Sequence, residues 1–436
     1  MLFRLLPILA CFVVVSTGIA SAQQKEPDLP KPYATPSAVH HPKVIGWPQG
    51  KTPKAPEGFL VTAFATDLDS PRWIYVLPNG DVLVAQSRTL PKPKDEGDEK
   101  KKDEKEKKMA EGMKKSKTVT GSSPNKIILL RDADGDGKPE MRETFLANLN
   151  QPFGMALVKD TLFVANTDGV IRFAYKIGQT RIKDEGTKIL DLPAGGYNNH
   201  WTRNLLPNKD GTKLYISVGS GSNVGEHGSH NELLRANILE ANLDGTAMRV
   251  FAEGLRNPVG MDWEPVTGKL WTAVNERDEL GDELVPDYIT SVKEGGFYGW
   301  PYSYFGQHVD PRRKGERPDL VKKAIAPDFA LGAHTASLGF TFYRGKAFPS
   351  KYQGGAFIGQ RGSWNRSKFA GYRVAFVPFA EGQPNGKDED FLTGFLVNET
   401  EAYGRPVGVA VAADGSLLVA DEPGNTVWRV SFTGKK

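Results

Sequence analysis

One pattern recurs six times along this 436-residue chain, and it restricts the fold more than any other feature. Each copy joins a turn residue and a Gly or aromatic to a strand, then returns through a turn to a second strand rich in Val, Leu and Ala. Pro71-Arg72-Trp73-Ile74 leads to a strand at 82–86, Pro152-Phe153-Gly154-Met155 to one at 162–166, and, more weakly, Arg203-Asn204-Leu205 to one at 214–218. Pro258-Val259-Gly260-Met261, Ser337-Leu338-Gly339-Phe340 and Pro406-Val407-Gly408-Val409 lead to strands at 270–274, 356–359 and 417–421. Copies about 50 to 80 residues apart suit blades of four strands each. A lone blade cannot bury both faces, so six must close a ring. The expected fold is all-β: a six-bladed β-propeller of four-stranded antiparallel sheets over 57–433, with 59–64 supplying the strand that closes the last blade. Units of βαβ type are missing, and amphipathic helical stretches are almost absent.

Three segments stand outside this repeat. Residues 1–22 pair Arg4 with an apolar run from Leu5 to Val15 and a small-residue Ala20-Ser21-Ala22 site, which reads as a secretory signal too short to span a membrane. The rival reading, a lipoprotein box at Ile8-Leu9-Ala10-Cys11, is disfavoured because the apolar run continues past Cys11. Residues 23–56 are Pro-rich and polar and read as an extended leader. The run at 90–120 holds eleven Lys and eight acidic residues between Pro91 and Lys117, and so supplies most of the net charge of +4. Such a run reads as a disordered, solvated insert, with a docking arm for an acidic partner as the alternative. The charge pattern gives no sign of a nucleic-acid partner. Cys11 is the single cysteine, so the chain after a cleaved leader can hold no disulfide, iron–sulfur cluster or covalent haem.

The repeat also places chemistry. Inner strands should start, and second strands end, at one mouth of the central channel. Arg72, His200, Arg203, Arg256, Asn257, His334 and Arg405 fall in the first set, and Gln86, Asn166, Ser220, Glu276, Arg277, Asp278 and Gln360 in the second. Arginines with histidines and carboxylates at one mouth suit an anionic cofactor with a metal.

The most specific stretch runs through Leu255-Arg256-Asn257-Pro258-Val259-Gly260, then Gly281-Asp282-Glu283-Leu284, then Gly295-Gly296-Phe297-Tyr298-Gly299-Trp300-Pro301. With these three blocks in order, the chain from Phe59 to Val430 resembles the soluble sugar dehydrogenases that depend on pyrroloquinoline quinone (PQQ), most of all their L-sorbosone dehydrogenase branch. The resemblance implies PQQ and Ca²⁺ as cofactors, a sugar-like small molecule as substrate, and an external electron acceptor: a quinone, a dye or a cytochrome. It implies that His200 is the general base, that Arg256 and Asn257 contact the cofactor, and that Arg405 pairs with a cofactor carboxylate. Backbone carbonyls of Arg277 and Asp278 would hold Ca²⁺. Arg203 and Glu276 at the mouth, with His334, Arg361 and Arg366 from the fifth blade, complete the expected site. Two departures matter. Ser220 stands where glucose-oxidising members carry an Asp, and their fifth-blade lysine has no clear counterpart. Both point away from glucose and toward an osone or aldehyde reacting as its hydrate.

A second metal signal is independent of that resemblance. Residues 132–143 match a calcium loop in which Asp132, Asp134, Asp136 and Glu143 supply carboxylates, Lys138 its carbonyl, and Gly137 the sharp turn. Strand-like flanks make it a hairpin loop with a structural role. Two other readings stay open: a calcium-dependent propeller lactonase or other hydrolase, and a non-catalytic binding module. The leader implies a periplasmic or secreted protein.

Overall fold

A computed structural model describes residues 27–91 and 104–434; the proposed signal segment lies outside them. Six sheets, each with four core strands, form the expected propeller. Blade 1 holds strands 71–76, 82–86, 126–131 and 141–146, and blade 2 holds 155–158, 161–166, 169–174 and 187–191. Blade 3 holds 203–207, 213–218, 237–242 and 249–253, with 296–297 added at its edge. Blade 4 holds 258–263, 270–274, 286–291 and 329–333; blade 5 holds 337–342, 356–360, 373–377 and 389–392. Blade 6 runs 406–411, 417–421 and 426–432, and Phe59–Ala65 pairs antiparallel with this last strand, Phe59 opposite Phe432. That pairing closes the ring.

Each junction between blades has its own apolar core, because the alternating residues of one sheet meet those of the next. Ile216 and Leu239 of blade 3 pack on Ala156 and Phe163 of blade 2. Trp271 and Phe329 of blade 4 meet Phe340 and Ile358 of blade 5, and Leu418 and Val427 of blade 6 meet Ile74 and Val84 of blade 1. At the axis the inner strands touch through backbone, which explains the repeated glycine. A Cβ on Gly154 would stand 2.5 Å from the Leu205 nitrogen, one on Gly260 2.5 Å from the Phe340 nitrogen, and one on Gly339 2.1 Å from the Val407 oxygen. Gly408 likewise faces the Arg72 carbonyl at 2.7 Å.

The described parts of the leader and of the insert are docked on the ring. The leader runs over one face: Tyr33 bonds the Leu280 carbonyl, His40 that of Trp364, and Lys43–Val44 pairs with Glu401–Ala402. Among the described residues of the insert, Glu104–Lys115 is an α-helix, with Gly112 buried on its inner face and Ser116 buried just past its end. Small residues let this polar helix approach the ring closely without an apolar stripe. No helix among the described residues is long and apolar enough to cross a membrane.

If the ring depends on these backbone approaches, Gly339→Ala should lower unfolding free energy by about 2–3 kcal/mol, by overpacking. Gly195→Ala, with open space around it, should stay within about 0.5 kcal/mol. Urea midpoints of the two variants test this.

Candidate active site

Within each blade the start of the inner strand pairs with the end of the second: Pro71 with Gln86, Arg203 with Val218, Ser337 with Gln360, Pro406 with Asp421. Residues flanking these pairs therefore collect at one mouth, where they form two groups.

The first group centres on His200, which is half-buried. Its Nδ1–H donates to the Ser220 carbonyl at 2.8 Å and reaches the Ser220 hydroxyl at 3.0 Å. That hydroxyl gives its own proton to the Ser222 carbonyl at 2.7 Å, so it can only accept from the ring. The imidazole is thereby fixed as the Nδ1–H tautomer, with its basic lone pair on Nε2. Burial, then the Arg256 charge, lowers its pKa to about 3. Gly219 lets Asn257 come close: a Cβ there would meet Asn257 Oδ1 at 2.2 Å and His200 Cβ at 2.6 Å. Asp278 joins the group through Arg256 Nη2 at 3.2 Å and Asn365 Nδ2 at 2.5 Å. Burial opposes its ionisation, but Arg256 and then His334 hold its pKa at about 2. His334 donates from Nε2 to the Gly281 carbonyl at 2.8 Å, and its Nδ1 lies 3.0 Å from Asn365 Nδ2 and 3.7 Å from Asp278 Oδ1.

The second group is a set of buried guanidiniums. Arg72 and Arg361 share Glu422, at 2.7 and 2.5 Å. The Arg405 guanidinium donates to the carbonyls of Arg361 and Gly362, at 2.9 and 2.6 Å, and meets no carboxylate by hydrogen bond among the described residues; its backbone N–H donates to Asp421 at 2.7 Å. Burial, then Arg361, lowers its pKa to about 10. Arg72 stacks on Trp201 at 4.9 Å and Arg405 on Tyr372 at 5.3 Å. Two of the three buried guanidiniums thus share Glu422, and the third rests on backbone carbonyls.

Several expected ligand-facing residues do other work. Arg203 is fully buried and clamps its own loop, donating to the carbonyls of Pro193, His200 and Thr202. Arg256 has all five N–H groups engaged by Asn223, Asn275, Glu276 and Asp278, so it braces the mouth. Glu276 lies beneath, its oxygen held by the Arg277 N–H and its pKa raised to about 7 by burial. The Arg277 side chain turns away to Asp310 at 3.0 Å, both buried. Arg366 pairs with Glu283 at the rim. Glu422, Asn365, Trp201 and Tyr372 were not anticipated. Glu422 follows the second strand of blade 6, so the rule that selected Gln86 and Asn166 could have found it.

The acidic hairpin lies at the opposite end of blade 1. Asp132, Asp134, Asp136 and Glu140 bring carboxylates within 4.8 Å of one another. Glu143 is not among them. It lies on the strand that begins at Met141 and pairs with Arg181.

A six-bladed ring carrying a neutral imidazole and surplus buried guanidinium at one mouth defines a recognisable class. The Glucose / Sorbosone dehydrogenase family model matches residues 163–365, and a TrAA12-like model matches residues 308–432. An uncharacterised protein of Borreliella burgdorferi is 30% identical over 305 residues, 66% of this chain and 78% of that protein. The chain belongs to the glucose/sorbosone dehydrogenase family. It is similar also to the aldose sugar dehydrogenase YliI of Escherichia coli, 25% identical over 213 residues, which are 42% of this chain and about half (53%) of that enzyme. Among solved structures, the holo form of the pyranose dehydrogenase PQQ domain from Coprinopsis cinerea superposes with a TM-score of 0.68 at 18% identity, covering 90% of this chain and 100% of that one.

The electrostatics here set a pH response. His200 is neutral when folded but has the ordinary value of 6.5 unfolded, and His41, lowered to about 3 by burial and then Arg405, behaves alike. The unfolded chain then binds more protons between pH 6.5 and 3, so these groups lower stability as pH falls through that window. In histidine-labelled protein, two Cε1–H resonances should stay fixed from pH 8 to 4.5, and His200→Gln should remove one of them. Titration of that resonance near pH 6.5 would refute the neutral assignment.

Proposed function

We propose that this protein oxidises a sugar, osone or related aldehyde or alcohol, using PQQ and Ca²⁺ and passing electrons to an external acceptor. The carrying observation is the imbalance at the mouth, three buried guanidiniums against Glu422, beside a histidine whose Nε2 is the free base. PQQ is a planar ortho-quinone with three carboxylates, and this donor set suits it. Buried polar atoms of Gln86, Asn166 and Asn257 that lack a partner also suit a polar, planar guest. Arg405, Arg361 and Arg72 would hold its carboxylates. Ca²⁺ takes hard oxygen donors, which here would come from the Arg277 and Asp278 carbonyls and the Asp278 carboxylate. When bound, the pair supplies a hydride-accepting quinone with a Lewis acid upon it.

The chain's own residues do the rest. His200 Nε2 accepts the substrate hydroxyl proton as the C–H bond breaks. Ser220 fixes the ring through neutral acceptors, so the imidazole remains unprotonated, and thus competent, throughout the neutral range. Asp278 lies close enough to favour the imidazolium that forms. Trp201 and Tyr372 flank the arginines and limit water. The osone or aldehyde preference follows the replacement of the family Asp by Ser220. A hydrolase reading would need carboxylates converging on a channel metal. The one such group among the described residues is the hairpin at 132–140, away from the mouth. The signal-like segment at 1–22 supports export, and the hairpin a structural Ca²⁺.

Chelator-stripped protein given PQQ and Ca²⁺ should oxidise a member of an aldose, osone and alcohol panel with an artificial acceptor, and need both additions. His200→Gln should lower kcat by about 10²–10⁴-fold while leaving PQQ binding intact. Turnover without PQQ, or undiminished in His200→Gln, would contradict this reading.

A further inference from the structure

The insert and the leader meet the arginine cluster directly. The helix at 104–115 ends in a two-bond cap, Lys117 N–H to the Lys114 carbonyl at 3.1 Å and Thr118 N–H to the Met113 carbonyl at 2.9 Å, with Lys117 left-handed at φ 51°. Such a cap fixes the residue that follows the left-handed one. Here that residue is Thr118, and its Oγ1 accepts from Arg361 Nη2 at 3.2 Å and Arg405 Nη1 at 3.4 Å. The buried Ser116 hydroxyl lies 2.9 Å from it and 3.4 Å from His41 Nδ1. Gly112 sits flush on the His41 ring, where a Cβ would stand 2.2 Å from Cδ2, and His41 stacks on Trp364 at 5.5 Å. Insert and leader together therefore press one hydroxyl onto two buried guanidiniums.

The donors Thr118 meets are those a ligand would need. Arg405 commits Nε and Nη2 to backbone carbonyls, and Arg361 commits Nε to Glu422. A hydroxyl at 3.2 and 3.4 Å is a weak partner for two cations, whereas a carboxylate makes shorter, charge-assisted bonds. We propose that Thr118 is a latch on a carboxylate-binding notch: it satisfies Arg361 and Arg405 until a carboxylate ligand takes them, and its displacement releases the arm at 104–118. That the carboxylate belongs to PQQ rests on the function proposed above; the latch itself does not.

Thr118→Ala removes the competing hydroxyl, and Thr118→Asp puts a tethered carboxylate in its place. Titrating PQQ with Ca²⁺ into the full-length proteins should give affinity several-fold tighter than wild type for Ala and about tenfold weaker or worse for Asp. Tryptic cutting after the exposed Lys114, Lys115 and Lys117 should speed up severalfold when PQQ is added to wild type, be fast from the start in the Ala variant, and stay slow in the Asp variant. Citrate, a simple tricarboxylate, is the second probe. Equal PQQ affinity in all three proteins with unchanged cutting would overturn the latch and leave the proposed function standing. Weaker binding in Thr118→Ala would also overturn it, making Thr118 a ligand contact. If PQQ binds none of them while citrate follows the order Ala, Thr, Asp, the latch stands and the PQQ reading falls. If neither probe binds, both fall. Should the Asp variant fail to fold, the Ala variant and the wild-type cutting rates decide.

Discussion

Backbone packed against backbone at the axis is the contact on which the rest depends. Gly154, Gly260, Gly339 and Gly408 let the inner strands of blades 2, 4, 5 and 6 lie against the next without a side chain between them. The approach sets the width of the ring, and so the distances across its mouth. Blades 1 and 3 have no glycine at the matching point, and blade 3 compensates with Asn204, whose Nδ2 reaches the Val259 carbonyl at 3.0 Å. Closure through Phe59–Ala65 makes the ring continuous and brings the chain before it out beside blades 5 and 6. From there the leader reaches the mouth.

Two electrostatic choices are then made on this frame. His200 is given neutral acceptors, the Ser220 carbonyl and hydroxyl, in place of a carboxylate, so burial and Arg256 keep the ring uncharged. Arg72, Arg361 and Arg405 are buried together, and among the described residues Glu422 is the carboxylate their guanidiniums pair with. Burying cations without matched anions costs stability, and a ring needs no such group to close. The surplus has a physical rationale once an anion is admitted to the mouth. Thr118, carried by the insert, is a neutral group that meets Arg361 and Arg405.

The fold was legible because a strong repeat leaves few ways to bury six half-exposed sheets. Ring closure followed from the spare strand at 59–64. The mouth was legible as a place, since strand starts and ends must meet there, but side-chain direction was not. Arg203 and Arg277 occupy mouth positions yet turn to the Pro193 loop and to Asp310, choices set by loop partners that the strand repeat does not place. Glu143 stands outside the acidic group for a local reason: the strand starts at Met141 and leaves Glu140 as the last carboxylate able to curl back. The insert gave no signal because its packing face is built from Gly112 and Ser116, which add nothing to an apolar pattern.

The central claim is that the buried arginines hold a quinone carboxylate, and equilibrium binding tests it most directly. PQQ would be titrated with Ca²⁺ into chelator-stripped protein and followed by its absorption, comparing wild type with Arg361→Gln and Arg405→Gln. The account predicts saturable one-to-one binding at micromolar concentration or tighter, weakened about tenfold or more by each substitution. Absence of binding to the folded wild-type protein, or equal affinity in all three, would contradict it.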